Sequence, residues 1–140
     1  MKHFLSINDL TAQDARFLLA EAARLKNELN DYPERQRGLL AGQTLAMIFE
    51  KPSLRTRVSF DVGMFQLGGH ALYISPAEIG LGTRESVADV ARVLSRFCNG
   101  VMARVFAHAT LTELAEYSTV PIINGLSDLE HPCQALADFQ

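Results

Sequence analysis

The run Thr44-Leu45-Ala46-Met47-Ile48-Phe49 carries almost no polar side chain, and nothing else in the chain constrains the fold as strongly. A short, nearly continuous apolar run fits a strand buried on both faces, the environment of a parallel sheet covered by helices. Further strands are expected over residues 70–74, 101–106 and 120–124. Helical spacing fills the intervals. Residues 54–67 place Val58, Val62, Phe65 and Leu67 as the apolar positions, and Gly68-Gly69 supplies the stop. Residues 85–97 turn Val87, Val90, Ala91, Val93, Leu94 and Phe97 inward, and 110–117 form a short helix. Ahead of them, residues 11–30 read as an amphipathic helix capped by Thr11, with Asp14 in the first turn. Ala15, Leu18, Leu19, Ala22, Leu25 and Leu29 form its apolar stripe, and Asp31-Tyr32-Pro33 ends it. Residues 38–42 connect to the first strand and 75–84 read as loop. A last helix opens at Pro132 and is still running at Gln140. Strands alternating with helices of about a dozen residues imply βαβ units and an α/β fold with a parallel sheet.

Composition narrows the function. The 140 residues are enough for one domain with a real core, 48% hydrophobic and 21% charged. A formal charge of −3 argues against a nucleic-acid-coating protein and makes the basic cluster around Arg55 a local feature. No apolar stretch approaches the ~20 residues of a membrane span. The opening residues reach Asn8 and Asp9 too soon for a signal peptide. Cys98 and Cys133 form no metal-binding pair and suit a reducing compartment. A cytoplasmic protein is the expectation. Because the chain stops in mid-helix, it reads as a piece of a longer protein.

Ligands of open parallel sheets bind beyond the carboxyl ends of the strands. After the first strand come Lys51-Pro52-Ser53-Leu54-Arg55-Thr56-Arg57, three cations and two hydroxyls around a turn that opens a helix. Free N–H groups, guanidinium forks and hydroxyls together suit a doubly charged oxyanion such as phosphate. Arg104 stands late in an otherwise apolar strand. A charge there is costly unless it is paired or sits at the open end, where it would meet the same anion. His131-Pro132-Cys133-Gln134 follows the fourth strand, with Pro132 suited to the first helical position. His131 could donate to a developing oxyanion, and Gln134 could donate to and accept from an amide. Each residue also has a plain structural reading: Ser53 and His131 as caps, Arg55 and Arg57 on a solvated face, Arg104 in an ion pair. Gly80-Leu81-Gly82 lacks the third glycine of a dinucleotide loop. There is no P-loop, and His3, His70, His108 and His131 have no metal-ligand spacing. Chemistry without a metal or cofactor is expected.

Taken together, Phe49 to Arg57 resembles the carbamoyl-phosphate motif of the transcarbamoylase family, S-T-R-T-R, and His131-Pro132-Cys133-Gln134 matches its H-P-x-Q. Within that family the chain is most similar to the ornithine-using members. The resemblance lies in Phe49-Glu50-Lys51, Leu67-Gly68-Gly69-His70, Ala103-Arg104-Val105-Phe106 and Asn124-Gly125-Leu126-Ser127-Asp128. It covers nearly the whole chain, as a single carbamoyl-phosphate domain over residues 1–140. It implies a four-stranded parallel sheet in the order 2-1-3-4 with helices on both faces, consistent with right-handed crossovers.

The resemblance also assigns roles. Ser53, Leu54 through its backbone, Arg55 and Thr56 would hold the phosphate of carbamoyl phosphate. Arg104, His131, Pro132, Cys133 and Gln134 would surround the carbamoyl group, with Arg55, Arg104 and His131 as the catalytic groups polarising its carbonyl. Arg57 would support the site from behind. Leu54 departs from the usual Thr, at the loss of one hydroxyl contact. In the family reaction, part of arginine biosynthesis, the neutral amine of L-ornithine attacks the carbamoyl carbon, phosphate leaves and citrulline forms without a cofactor. Ornithine is bound by a second domain through a Ser-Met-Gly segment, absent here, so the chain alone is expected to bind anion weakly and not turn over. Family members are typically homotrimers, a loop of one subunit completing its neighbour's site. Here that loop is about residues 75–85, with Gly80 where many relatives carry Gln or His. Two alternatives stand beside this reading. One is a transcarbamoylase for putrescine, acetylornithine or aspartate. The other is a non-catalytic phosphate-binding or oligomerisation module.

Overall fold

The structure, a computed structural model, describes residues 2–32 and 38–140. Four parallel strands form one sheet: β1 (Thr44–Phe49), β2 (His70–Ile74), β3 (Gly100–Arg104) and β4 (Ile122–Leu126), in the order β2-β1-β3-β4. Thr44 pairs with His70 on one side of β1, while Leu45 pairs with Gly100 on the other. The chain thus leaves β1 in one direction and later returns to its opposite side. The carboxyl ends of β1 and β3 therefore flank the switch point, where open α/β sheets hold ligands.

Alternation along the strands sorts their side chains onto two faces. Ala46, Ile48, Val101, Ala103 and Ile122 face α4 (Val87–Phe97) and α5 (His108–Tyr117) through Val87, Val90, Ala91, Leu111 and Leu114. Leu45, Met47, Phe49 and Met102 face α2 (Leu54–Gln66), which contributes Met64 and Phe60. Helices therefore cover both faces, as right-handed crossovers require. Each fully buried aliphatic side chain contributes about 1.5–3 kcal/mol relative to exposure, and Met47, Ile48 and Met102 are all fully buried.

α1 (Ala12–Asp31) is capped as expected. Thr11 Oγ1 accepts the Asp14 N–H at 3.1 Å, and the Asp14 carboxylate accepts the Thr11 N–H at 3.0 Å. Its stripe is only half-buried, Ala22 is exposed instead of lying on it, and no residue of α1 is fully buried. The helix ends at Asp31 with Tyr32 as its cap; the expected stop at Pro33 lies outside the described residues. α2 ends in a Schellman motif: Gly69 N–H reaches Met64 C=O at 2.8 Å and Gly68 N–H reaches Phe65 C=O at 3.1 Å. Gly68, at φ +85°, supplies the left-handed residue this closure needs.

Several expectations are corrected. Val58, Val62 and Phe65 point outward on α2, as do Val93 and Phe97 on α4. Thr56 and Met64 are the residues that α2 buries. The span read as loop holds a one-turn helix, α3 (Pro76–Ile79), with Ser75 and Glu78 making a capping box. α4 starts two residues later than expected, because Ser86 Oγ accepts the Asp89 N–H. α5 starts two residues earlier, where the Asp128 carboxylate accepts the His108 N–H at 2.7 Å. α6 (Pro132–Asp138) follows β4.

Candidate functional site

Between the carboxyl ends of β1 and β3 lies a cleft of about 470 Å³. Ser53, Arg55, Thr56, Arg104, His131, Cys133 and Gln134 line it, together with Ser59, Phe60, Leu126 and Ala137. Seven of the ten residues singled out in the sequence thus share one wall, and that wall holds two guanidiniums and no carboxylate.

The first side is the opening turn of α2. Ser53 caps it, its hydroxyl taking the Thr56 N–H at 3.4 Å and donating to Thr56 Oγ1 at 3.0 Å. Arg104 Nη1 donates to the same oxygen at 3.3 Å. With two donors already on it, Thr56 Oγ1 has its own proton left to give to a ligand. The first intrahelical bond is Arg57 N–H to Ser53 C=O. The Leu54 and Arg55 N–H groups therefore precede the ladder, at the end of the helix dipole that attracts anions.

Arg104 is the last residue of β3, at the open end of the sheet. A bulge helps to place it. Ala103 pairs with Asn124 and Arg104 with Leu126, which leaves Gly125 as the extra residue on β4. A Cβ on Gly125 would fall 2.4 Å from Met102 Sδ and 3.3 Å from the Ala103 carbonyl oxygen, so any side chain there must displace Met102. Glu50 ties the same strand end to β1. Its N–H donates to Arg104 C=O at 2.9 Å, and its carboxylate accepts the Phe106 N–H at 2.6 Å. Arg104 Nε is buried without a hydrogen-bond partner among the described residues. Burial, and secondarily the Arg55 charge, pull the Arg104 pKa below its ordinary value. The ion pairs among the described residues are Arg24 with Glu21 and Glu28, and Arg92 with Asp89, none of them at the cleft.

His131 caps α6, its Nδ1 accepting the Gln134 N–H at 3.3 Å. That bond places the proton of the neutral ring on Nε2, making Nε2–H a donor. Burial first, then the Arg104 charge, lower the His131 pKa against a smaller opposing effect of Asp138. The neutral donor form is favoured. Gln134 Nε2 donates to Asp138 at 2.8 Å. Burial pushes the Cys133 thiol up to about 11, and its Sγ–H points to Asn124 C=O, so it is a packed thiol and not a nucleophile.

Three of the ten stand apart from the cleft wall. Pro132 is fully buried at the start of α6, and the Leu54 side chain is 76% exposed. Arg57 stacks over the Tyr73 ring at 4.0 Å, and Tyr73 in turn packs on Phe49. The sequence reading gave no role to Ser59 and Phe60, which both lie about two turns beyond Ser53 on α2. It also missed Glu50 and Gly125, which act through backbone geometry that no local pattern discloses. His108 Nδ1 and Ser127 Oγ meet at 2.9 Å. However, Asp128 binds the His108 backbone and not its ring, so the three form a loop clamp and not a relay. A second groove of about 360 Å³ lies under α2, lined by Leu45, Phe60, Met64 and Ile123 among others. No ionisable side chain lines it, and it offers an anion nothing. No group of three or more His, Cys, Asp or Glu suited to a metal occurs among the described residues.

Comparison with known proteins identifies the family. Residues 2–140 match the family described as aspartate/ornithine carbamoyltransferase, carbamoyl-P binding domain. Ornithine carbamoyltransferase of Methanocorpusculum labreanum is 55% identical over 137 residues, 98% of this chain and 44% of the relative. The structure of ornithine carbamoyltransferase from Pyrococcus furiosus superimposes with a TM-score of 0.92 at 51% identity, covering 99% of this chain and 44% of the other. A variant of N-acetyl-L-ornithine transcarbamylase, complexed with carbamyl phosphate and N-succinyl-L-norvaline, superimposes with a TM-score of 0.86 at 36% identity, covering 99% of this chain and 46% of the other. The chain spans less than half the length of these relatives. It belongs to the family of aspartate/ornithine carbamoyltransferase carbamoyl-P binding domains.

Proposed function

We propose that residues 1–140 are the carbamoyl-phosphate-binding half of an ornithine carbamoyltransferase, which converts carbamoyl phosphate and L-ornithine to L-citrulline and phosphate in arginine biosynthesis. The observation that carries this is the convergence on one cleft of a capped helix N-terminus, two guanidiniums outside any ion pair among the described residues and a neutral His131. A simple phosphate sink has no use for the last of these. The phosphate sits on Ser53, Thr56 and the Leu54 and Arg55 amides, and the Arg55 guanidinium bridges to the carbamoyl end. Arg104 and His131 Nε2–H donate to the carbonyl oxygen, and Gln134 meets the carbamoyl nitrogen.

When the neutral ornithine amine attacks, its lone pair forms the new N–C bond and the carbonyl π pair moves to oxygen. As that pair returns to re-form the carbonyl, the bond from carbon to the phosphate oxygen breaks. Phosphate leaves with the pair of that bond and takes up the proton that the amine nitrogen loses. Donors fixed before the reaction stabilise the oxyanion and the departing phosphate more than the ground state, which is the differential binding that catalysis requires. The amine is presented by a further domain, for which the longer relatives have room.

Cytoplasmic location and a homotrimeric assembly belong to the same reading. A stripe of exposed apolar residues along α2, Leu54, Val58, Val62 and Phe65, supports self-association. In the loop of residues 75–85, Gly80 caps α3 at φ +50°, and a Cβ there would meet Arg84 Cβ at 2.7 Å. A cross-subunit side chain from that position is incompatible with this turn.

The test is calorimetric titration of the chain with carbamoyl phosphate and with inorganic phosphate, for wild type and Arg55→Ala. Saturable binding that favours carbamoyl phosphate and disappears in the variant is expected, without citrulline formation by the chain alone. Equal weak heats for both ligands in both proteins would refute the reading for this chain.

A further inference from the structure

The turn that carries His131 is held from the far end of the chain. Phe4 bridges Ile123 as a short parallel extension of the sheet beyond β4. Phe4 N–H donates to Ile122 C=O and Asn124 N–H to Phe4 C=O, both at 2.8 Å. The Asn124 side-chain amide, fully buried, donates to Leu5 C=O at 2.8 Å and to Glu130 C=O at 3.3 Å. The Glu130 carboxylate then accepts the Ile7 N–H at 2.9 Å. Glu130, the residue just before His131, is thus gripped at both its carbonyl and its side chain by groups that do not line the cleft. The opening turn of α2, which faces the other half of the cleft, shares none of these bonds.

We propose that Glu130 and Asn124 are positioning residues, through which the N-terminal segment, residues 4–7, holds the His131 ring with its Nε2–H aimed into the cleft. On this arrangement the N-terminal strap sets recognition of the carbamoyl end while leaving the phosphate end untouched. The ligand half of this inference rests on the proposed function; the structural half does not. Two substitutions cut the same bond from opposite sides. Glu130→Ala removes the acceptor. Ile7→Pro removes the donor at the first position of a 3₁₀ turn preceded by an extended Ser6, a site that tolerates proline. Glu130→Gln keeps an acceptor oxygen.

The readouts are the ¹⁵N shifts of the His131 ring, assigned by loss in His131→Ala, and the affinities for carbamoyl phosphate and inorganic phosphate. Glu130→Ala and Ile7→Pro should both shift the ring from the Nε2–H tautomer toward an average of the two. Both should lower the preference for carbamoyl phosphate over phosphate about five- to tenfold, the worth of one misaligned hydrogen bond. Phosphate affinity should stay within about twofold, and Glu130→Gln should restore the wild-type spectrum. Unchanged ring shifts in both cut variants would overturn the proposal. So would equal losses of both ligands, which mark a merely structural strap. If wild type itself fails to prefer carbamoyl phosphate, the functional reading falls while the ring spectrum still decides the strap.

Discussion

Replacing Arg104 by methionine should stabilise the free protein and weaken its response to anions, two effects of opposite sign from one side chain. In the wild type, Arg104 Nε is buried with no partner among the described residues, and its one side-chain hydrogen bond, to Thr56 Oγ1, is long at 3.3 Å. A buried donor left unsatisfied costs about 1–3 kcal/mol, and a long neutral-acceptor bond returns less than about 1 kcal/mol. Because Arg104 is half-buried and its outer nitrogens face an open cleft, the low end of that range applies. Methionine retains the unbranched stem and fills the space flexibly. The net gain is at most about 1 kcal/mol, or up to roughly 3 °C in Tm for a chain this size. Carbamoyl phosphate, whose carbonyl oxygen Arg104 meets on the proposed function, reverses the order. At a concentration about 100 times Kd the wild type gains about 2.7 kcal/mol. Loss of a charged hydrogen bond, about 2 kcal/mol, lowers affinity about 30-fold, so at that concentration the variant gains only about 0.9 kcal/mol. Urea unfolding at room temperature followed by circular dichroism, with and without carbamoyl phosphate, should therefore cross: Arg104→Met more stable without ligand, wild type more stable with it. A variant that is less stable without ligand would refute the account of Arg104 as an under-satisfied cation. Equal stabilisation by carbamoyl phosphate would remove Arg104 from the ligand site.

Two other outcomes follow from the same geometry. The His131 pKa is lowered by burial and then by Arg104, so below 6.5 the unfolded chain takes up a proton before the folded one. Stability should then fall as pH drops from about 6.5 through the folded value, and binding a dianion should raise that value by favouring the imidazolium. An NMR titration showing a free-state midpoint at or above 6.5 would contradict this. Gly125→Ala should cost about 1–2 kcal/mol in urea unfolding, because the new methyl overlaps Met102 Sδ and presses on the Ala103 carbonyl. A loss under about 0.5 kcal/mol would mean that Met102 swings aside and the bulge survives.

The sheet was legible where its signal was local. β1 and β2 have the bounds their apolar runs suggest, since a strand buried on both faces needs an unbroken apolar sequence. β4 was read two residues early, because Asn124-Gly125 looks like a turn. In the fold, Gly125 is instead the bulge that lets β4 continue to Leu126. The α3 capping box, Ser75 with Glu78, was present in the sequence and passed over. The cap of α5 was not, since Asp128 is twenty positions away from the His108 N–H it accepts. Helix α2 misled for a different reason. Periodicity identifies an apolar face without saying what covers it, and Val58, Val62 and Phe65 lie away from the sheet. Among the site residues, Ser53, Thr56, Arg104 and His131 were legible because each follows or ends a strand. Glu50, Asn124 and Glu130 were not, because their side chains act on backbone groups brought together only by the sheet order.

The cleft also implies a division of labour. Every polar side chain on its wall is suited to donating hydrogen bonds or positive charge, and no carboxylate lines it. His131 Nδ1, the one basic nitrogen of the neutral ring, is already engaged by the Gln134 N–H. The Cys133 thiol is held protonated by burial. Such a wall can withdraw electrons from a carbonyl and hold a leaving phosphate, but it gives an attacking ammonium group no base to deprotonate it. On the proposed reaction, selection of the neutral amine therefore falls to groups outside the cleft wall, and this half activates the electrophile alone. Raising pH toward the amine's own pKa should then accelerate transfer in an assembled enzyme without tightening carbamoyl-phosphate binding, because the two steps draw on different titrating groups.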